Sequence, residues 1–120
     1  MILADTSVWV DHLRKRDEAL STCLNEDRII THSFIIGELA MGNLPNRAPT
    51  LDALKQLRRT VVASDEEVFD FIEHHNIAGI GIGYVDAHLL ASVRLTAGSE
   101  LWTRDKRLLL AAKRIGTAVR

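Results

Sequence analysis

A single cysteine, Cys23, stands in the whole chain, so no disulfide can form within it. That excludes the small disulfide-stapled scaffolds of secreted proteins and points to a reducing compartment. Cys23 lies among Ala19, Leu20 and Leu24 and reads as a small buried hydrophobe. Proline is almost as scarce. Pro45 and Pro49 bracket one turn and mark no linker between domains. No apolar run approaches the ~20 residues that a membrane helix needs. The opening Met1-Ile2-Leu3-Ala4-Asp5 lacks a basic leader and its apolar stretch is interrupted, so it does not read as a signal peptide, and the expected location is cytoplasmic. There is no internal repeat and no low-complexity tract. Neither sign of charge dominates: 15 Lys and Arg face 16 Asp and Glu, a net charge of −1. That balance argues at first against a nucleic-acid partner, which usually presents a basic excess.

What is present suits one globular domain over residues 1–120. Apolar residues make up 47% and charged residues 26%, too much of the first for disorder. A chain of this size buries roughly two thirds of the surface its unfolded form exposes.

Short apolar runs alternate with helical stretches. Ile2-Leu3-Ala4, Arg28 to Thr31, Val61-Val62-Ala63, Glu100 to Thr103 and Thr117-Ala118-Val119 are strand candidates. Helices are expected over Val8 to Arg14, Glu18 to Asn25, Ser33 to about Asn43, Thr50 to Arg59, Tyr84 to about Leu95 and Lys106 to Ile115. Another opens at Ser64, which with Glu67 makes a capping box. This alternation predicts an α/β fold, with a short parallel sheet of four or five strands and helices on both faces. Ligands of such sheets sit beyond the carboxyl ends of the strands. An acid just after a strand is therefore a site candidate.

Most acids here are explained by helix ends and polar turns; Asp65, Glu66 and Glu67, for instance, fill a first helical turn. Four stand apart. Asp5 follows the first strand and Asp105 follows Leu101-Trp102-Thr103; each also reads as a helix cap. Glu38 is the only charge from Ser33 to Met41, on a helix face with Phe34, Ile35 and Met41. Asp86 has Leu89, Leu90 and Val93 as its helical neighbours. If the four converge, they repel one another unless cations neutralise them. An all-oxygen cluster selects a hard ion such as Mg²⁺ or Mn²⁺, whose common work is on phosphate oxygens. Such an ion lowers the pKa of a water and stabilises a departing oxygen. Metal-assisted phosphoryl chemistry is the expectation.

Other polar features carry less. The five histidines form no zinc spacing with the lone cysteine, and adjacent His74 and His75 cannot share a helix face. Gly81-Ile82-Gly83 follows a helix instead of a strand, so it reads as a helix stop and turn, not a dinucleotide fingerprint. Trp9 and Trp102 read as core residues.

The segments Asp5-Thr6-Ser7-Val8-Trp9-Val10, Gly37-Glu38-Leu39-Ala40, Val85 to Ser92 and Leu101 to Leu108 together resemble the PIN-domain ribonucleases. Within that family they look most like VapC-type toxins of prokaryotic toxin–antitoxin pairs. The resemblance spans essentially the whole chain, with the motifs in family order. It implies a PIN-like fold and an endoribonuclease dependent on Mg²⁺ or Mn²⁺. It maps the family's acidic quartet onto Asp5, Glu38, Asp86 and Asp105 as catalytic and metal-binding residues. Thr6 and Thr103 match positions where the family places a hydroxyl beside the acids. The resemblance further implies a homodimer and a cognate VapB-like antitoxin lying in the groove near the acids; the lack of a long apolar run already speaks for no membrane partner. With RNA as substrate, Arg104, Lys106 and Arg107 become candidates for holding the phosphate backbone. Arg14, Lys15 and Arg16 could extend the same surface.

Three other readings each meet an obstacle in the sequence. A receiver-type signalling domain needs a phosphoacceptor Asp after a middle strand and a Lys after a late one; here Asp65 belongs to a capping box and Arg104-Asp105 stands in the late position. A catalytically silent PIN-like binding module is opposed by the intact quartet. A dehalogenase-like phosphatase needs a second Asp two residues after the first, where Ser7 stands. Once four of the 16 acids are assigned to one pocket, 12 remain against 15 basic residues, and the charge balance no longer opposes an RNA partner.

Overall fold

Ile2–Ala4 form strand β1, whose three residues are apolar and almost wholly shielded from solvent. A central strand of a parallel sheet requires this, because both its faces are covered. The computed structural model describes residues 1 to 120. It sets β1 between β2 (Ile29–Ile30) and β3 (Glu100–Trp102). Both neighbours run parallel to β1, with Ile2 opposite Ile29 on one side and Glu100 on the other.

Seven helices complete the order: α1 (Thr6–Arg14), α2 (Glu18–Asn25), α3 (Ser33–Ala40), α4 (Arg47–Gln56), α5 (Asp65–His75), α6 (Tyr84–Leu95) and α7 (Lys106–Arg114). Their starts follow local chemistry. Asp5, Asp17 and Asp105 cap α1, α2 and α7 by accepting backbone N–H groups of the first turn. Ser64 and Glu67 form both bonds of the expected capping box on α5. The helix α4 starts at Arg47, three residues before the expected Thr50, and takes Pro49 into its first turn, where a proline forfeits no helical hydrogen bond.

The sheet has three strands, not four or five. Residues 61 to 63 do not pair. The parallel ladder at that edge is one bridge, Thr31 to Arg59, after which the Val61 N–H donates to the Thr96 hydroxyl (3.1 Å). A side chain has taken the next rung, and Val61 and Val62 are left half exposed. On the other edge Val119 makes a single bridge to Leu101.

One apolar cluster surrounds the sheet, joining Ile2, Leu3, Ile29, Ile30 and Leu101 to Val8 and Trp9 of α1, Leu89 and Leu90 of α6, and Leu108 of α7. Cys23 is part of it. Trp102 is only partly buried, with the guanidiniums of Arg104 and Arg120 over its ring. Because all three strands are parallel, their carboxyl ends share one edge. Asp5 leaves that edge after β1, and Thr103 to Asp105 leave it after β3. The Asp5 N–H donates to the Trp102 carbonyl (3.0 Å), which fixes the two exits side by side.

Candidate active site

Asp5 is buried where β1 turns into α1. Its Oδ1 accepts from the Ser7 N–H (2.9 Å) and from the Ser7 hydroxyl. Its Oδ2 accepts from the Thr103 hydroxyl at 2.6 Å. A buried carboxylate must be hydrogen-bonded, and both oxygens are. Glu38 is exposed on α3, and its Oε1 accepts from the Thr6 hydroxyl (2.7 Å). Asp105 is exposed; its Oδ1 accepts from the N–H groups of Arg107 (2.9 Å) and Leu108 (3.2 Å). Asp86 is partly buried in the first turn of α6, and its Oδ2 accepts from the Gly83 N–H (3.0 Å). One oxygen each of Glu38, Asp86 and Asp105 is left without a hydrogen bond.

The charges of the other three acids all bear on Asp86. The Asp86 carboxyl is held above the ordinary Asp range. Burial is the largest cause, and the charges of Asp105, Asp5 and Glu38 add to it; the Gly83 hydrogen bond pulls the other way. The three charges that raise it are the other members of the quartet. No basic side chain relieves them, because every ion pair of the molecule lies elsewhere. As the side chains stand, no three carboxylates close on a common point at ligating distance. They fit a hard divalent ion in chemistry: oxygen donors only, three of them unpaired, and a surplus of negative charge without a counter-cation.

The basic run after β3 divides. Arg104 donates to Asp11 Oδ2 (2.7 Å) and to Asp17 Oδ2, tying the exit of β3 to α1 and to the cap of α2. Arg104, a candidate for holding RNA, thus has both arms of its guanidinium in partly exposed ion pairs with the chain's own carboxylates. Lys106 and Arg107 are exposed and unpaired.

Two participants escaped sequence reasoning. Ser7 serves Asp5 with its N–H and its hydroxyl, while that hydroxyl accepts the Arg104 N–H (3.0 Å). Gly83 supplies a backbone donor to Asp86. The signal for Ser7 was present in the Asp5-Thr6-Ser7 run, where two hydroxyls follow a strand-end acid. Gly83 acts only through its backbone, which composition cannot reveal.

A family model described as the PIN domain matches residues 2–114. Ribonuclease VapC32 of two Mycobacterium tuberculosis strains is 44% identical over 119 residues, which are 99% of this chain and 96% of that protein. Among solved structures, FitAcB from Neisseria gonorrhoeae superposes with a TM-score of 0.65 at 20% identity, covering 99% of this chain and 96% of the other. PAE2754 from Pyrobaculum aerophilum superposes with a TM-score of 0.66 at 16% identity, covering 98% and 87%. At those identities the two structures speak to the fold alone.

Proposed function

The chain belongs to the PIN-domain family, and from that premise we propose that it is a ribonuclease toxin, an endoribonuclease hydrolysing RNA phosphodiester bonds with Mg²⁺ or Mn²⁺ held by Asp5, Glu38, Asp86 and Asp105. The observation that carries this reading is the quartet itself: the charges of Asp5, Glu38 and Asp105 all bear on Asp86, and none of the four acids is ion-paired to a basic side chain. Such a pocket also repels an RNA phosphate until a cation intervenes. A bound divalent ion supplies a water of lowered pKa and charge stabilisation at the phosphate. The likeness to Ribonuclease VapC32 supports RNA as the substrate.

The protein's own part is positioning. Ser7 and Thr103 clamp Asp5 from two sides, so this carboxylate is fixed before anything binds. Thr6 steadies Glu38, whose second oxygen stays available. Burial first, and then the charges of Asp105, Asp5 and Glu38, raise the Asp86 carboxyl, so positive charge entering the pocket favours its ionised form. Lys106 and Arg107 offer cations to the RNA backbone beside it.

The cognate partner is a small VapB-like antitoxin. A groove of about 340 Å³ has an apolar wall of Val10, Leu13, Leu39 and Leu44 and a polar rim of Arg14, Glu38 and Asn43. It suits a partner segment with an apolar face and a basic residue placed against Glu38. The toxin works as a homodimer in the cytoplasm; no helix is long and apolar enough to cross a membrane.

Incubation of the purified protein with a circular RNA tests the reading. Linear products are expected with Mg²⁺ or Mn²⁺, none with a chelator. Asp5→Asn and Asp86→Asn should each cut at least about 100-fold more slowly, the scale of losing one electrostatic stabiliser. Cleavage indifferent to the chelator, or equal in both variants, overturns it.

A further inference from the structure

Arg107 is exposed, follows Asp105 by two residues and forms an ion pair with none of the four acids. Its backbone N–H donates to Asp105 Oδ1 (2.9 Å), which anchors it in the first turn of α7. Its side chain lies across Gly81. A Cβ at that glycine would meet Arg107 at 3.2 Å from Cδ, 3.4 Å from Nη1 and 3.6 Å from Nε. Gly81 has a φ of +92°, which also favours glycine. Two residues on, the Gly83 N–H holds Asp86. So Arg107 is fastened by its backbone to one acid, while its side chain rests on the loop that is fastened to another. Its guanidinium has no ion-pair partner, in contrast to that of Arg104.

An arginine with a supported stem loses less freedom when it captures an anion. Its planar fork suits phosphate oxygens. We propose that Gly81 is a positioning residue: its bare Cα is the saddle that aims the Arg107 guanidinium at a phosphate of the RNA bound beside the quartet. This rests on the endoribonuclease reading and adds to it a residue with no polar side chain. A Cβ at Gly81 presses on the arginine stem, which must give by a few tenths of an ångström and so leaves the line that the bare Cα sets.

Gly79 provides the control. It too has positive φ (+74°), but a Cβ there meets nothing within 4 Å. Gly79→Ala and Gly81→Ala therefore share the backbone cost, and only the second disturbs Arg107. Steady-state RNA cleavage in Mg²⁺ is the measurement. Gly81→Ala and Arg107→Gln are each expected to raise KM about tenfold, the scale of one hydrogen bond to a charged group, with kcat little changed. Arg107→Gln, an exposed change that leaves the fold alone, should also lower the salt slope of RNA binding by about one. Gly79→Ala should leave KM as it is. In the Arg107→Gln background, Gly81→Ala should add nothing further. Equal KM effects at Gly79 and Gly81, or effects that multiply in the double variant, overturn the proposal. If the unaltered protein cleaves RNA and both Gly81→Ala and Arg107→Gln keep its KM, this proposal falls and the endoribonuclease reading stands. If the unaltered protein does not cleave RNA, both fall.

Discussion

Thr103 and Asp5 lie 98 positions apart in sequence and 2.6 Å apart in space, the threonine hydroxyl donating to Oδ2 of the buried carboxylate. The same hydroxyl accepts the backbone N–H of Asp105 (3.0 Å). One oxygen atom thus sets the relative placement of two acids from two strand ends. Thr103→Val keeps the shape and removes the hydroxyl. Cleavage should fall about 10- to 100-fold, as when a partner orienting a metal ligand is lost. Stability should fall by about 1–3 kcal/mol, because a buried carboxylate oxygen is left unpaired. Thr103→Ser should recover most of both. Cleavage rates and urea midpoints of the two variants check this.

Asp86→Asn should separate stability from activity. The Asp86 carboxyl is raised, so the folded state disfavours its charged form. With a raised carboxyl, stability is gained as pH falls through the folded pKa, and the charge is a burden at neutral pH. The asparagine carbonyl can still accept the Gly83 N–H. The metal-free variant is expected to be more stable than the unaltered protein by about 0.5–1 kcal/mol at pH 7, while cleavage is lost. Calorimetric melting in a chelator reads the first, and a loss of stability there would contradict the repulsion.

Arg104→Gln should act on the fold and leave RNA alone. Arg104 is the largest influence holding Asp17 below its ordinary range, and Asp17 caps α2. A lowered carboxyl gives stability that is present above its unfolded pKa and lost as pH falls through the folded one. The pairs are partly solvent-exposed, so the variant should lose no more than about 1 kcal/mol, and less in high salt. Its KM for RNA should match that of the unaltered protein. A raised KM with unchanged stability would return Arg104 to the RNA surface.

His32 should make the fold sensitive to mild acid. It is buried, its Nδ1 accepts the Phe34 N–H (2.9 Å) to cap α3, and its Nε2 has no partner. Burial first, then the charges of His88 and Arg59, push its imidazole down to about 4. The unfolded chain takes up the proton near the ordinary 6.5, before the folded one does. Stability is therefore full above 6.5 and drains as pH falls from there toward 4, by about 2 kcal/mol between pH 6.5 and 4.5. In His32→Asn, whose side chain can still cap α3, this slope should flatten. Urea midpoints across that range measure it.

The α/β order was legible because each helix start carries its own chemistry. The Ser64–Glu67 box and the limits of α6 lay in local sequence. The strand expected at residues 61 to 63 was not, because Thr96, from the far end of α6, takes the Val61 N–H. The acids were legible as caps and as site residues, and Asp105 is both: Oδ1 caps α7 while the other oxygen is free. The ion pairs of Arg104 were not legible because its partners, Asp11 and Asp17, lie 93 and 87 positions away. A run of basic residues looks alike whether it faces a nucleic acid or the molecule's own carboxylates.

Calorimetric titration of the metal-free protein with Mn²⁺ tests most directly whether the four carboxylates act as one metal site. Saturable binding is expected in the unaltered protein, with binding greatly weakened in Asp5→Asn and in Asp86→Asn. Absence of binding in the unaltered protein, or equal binding in all three, would contradict it.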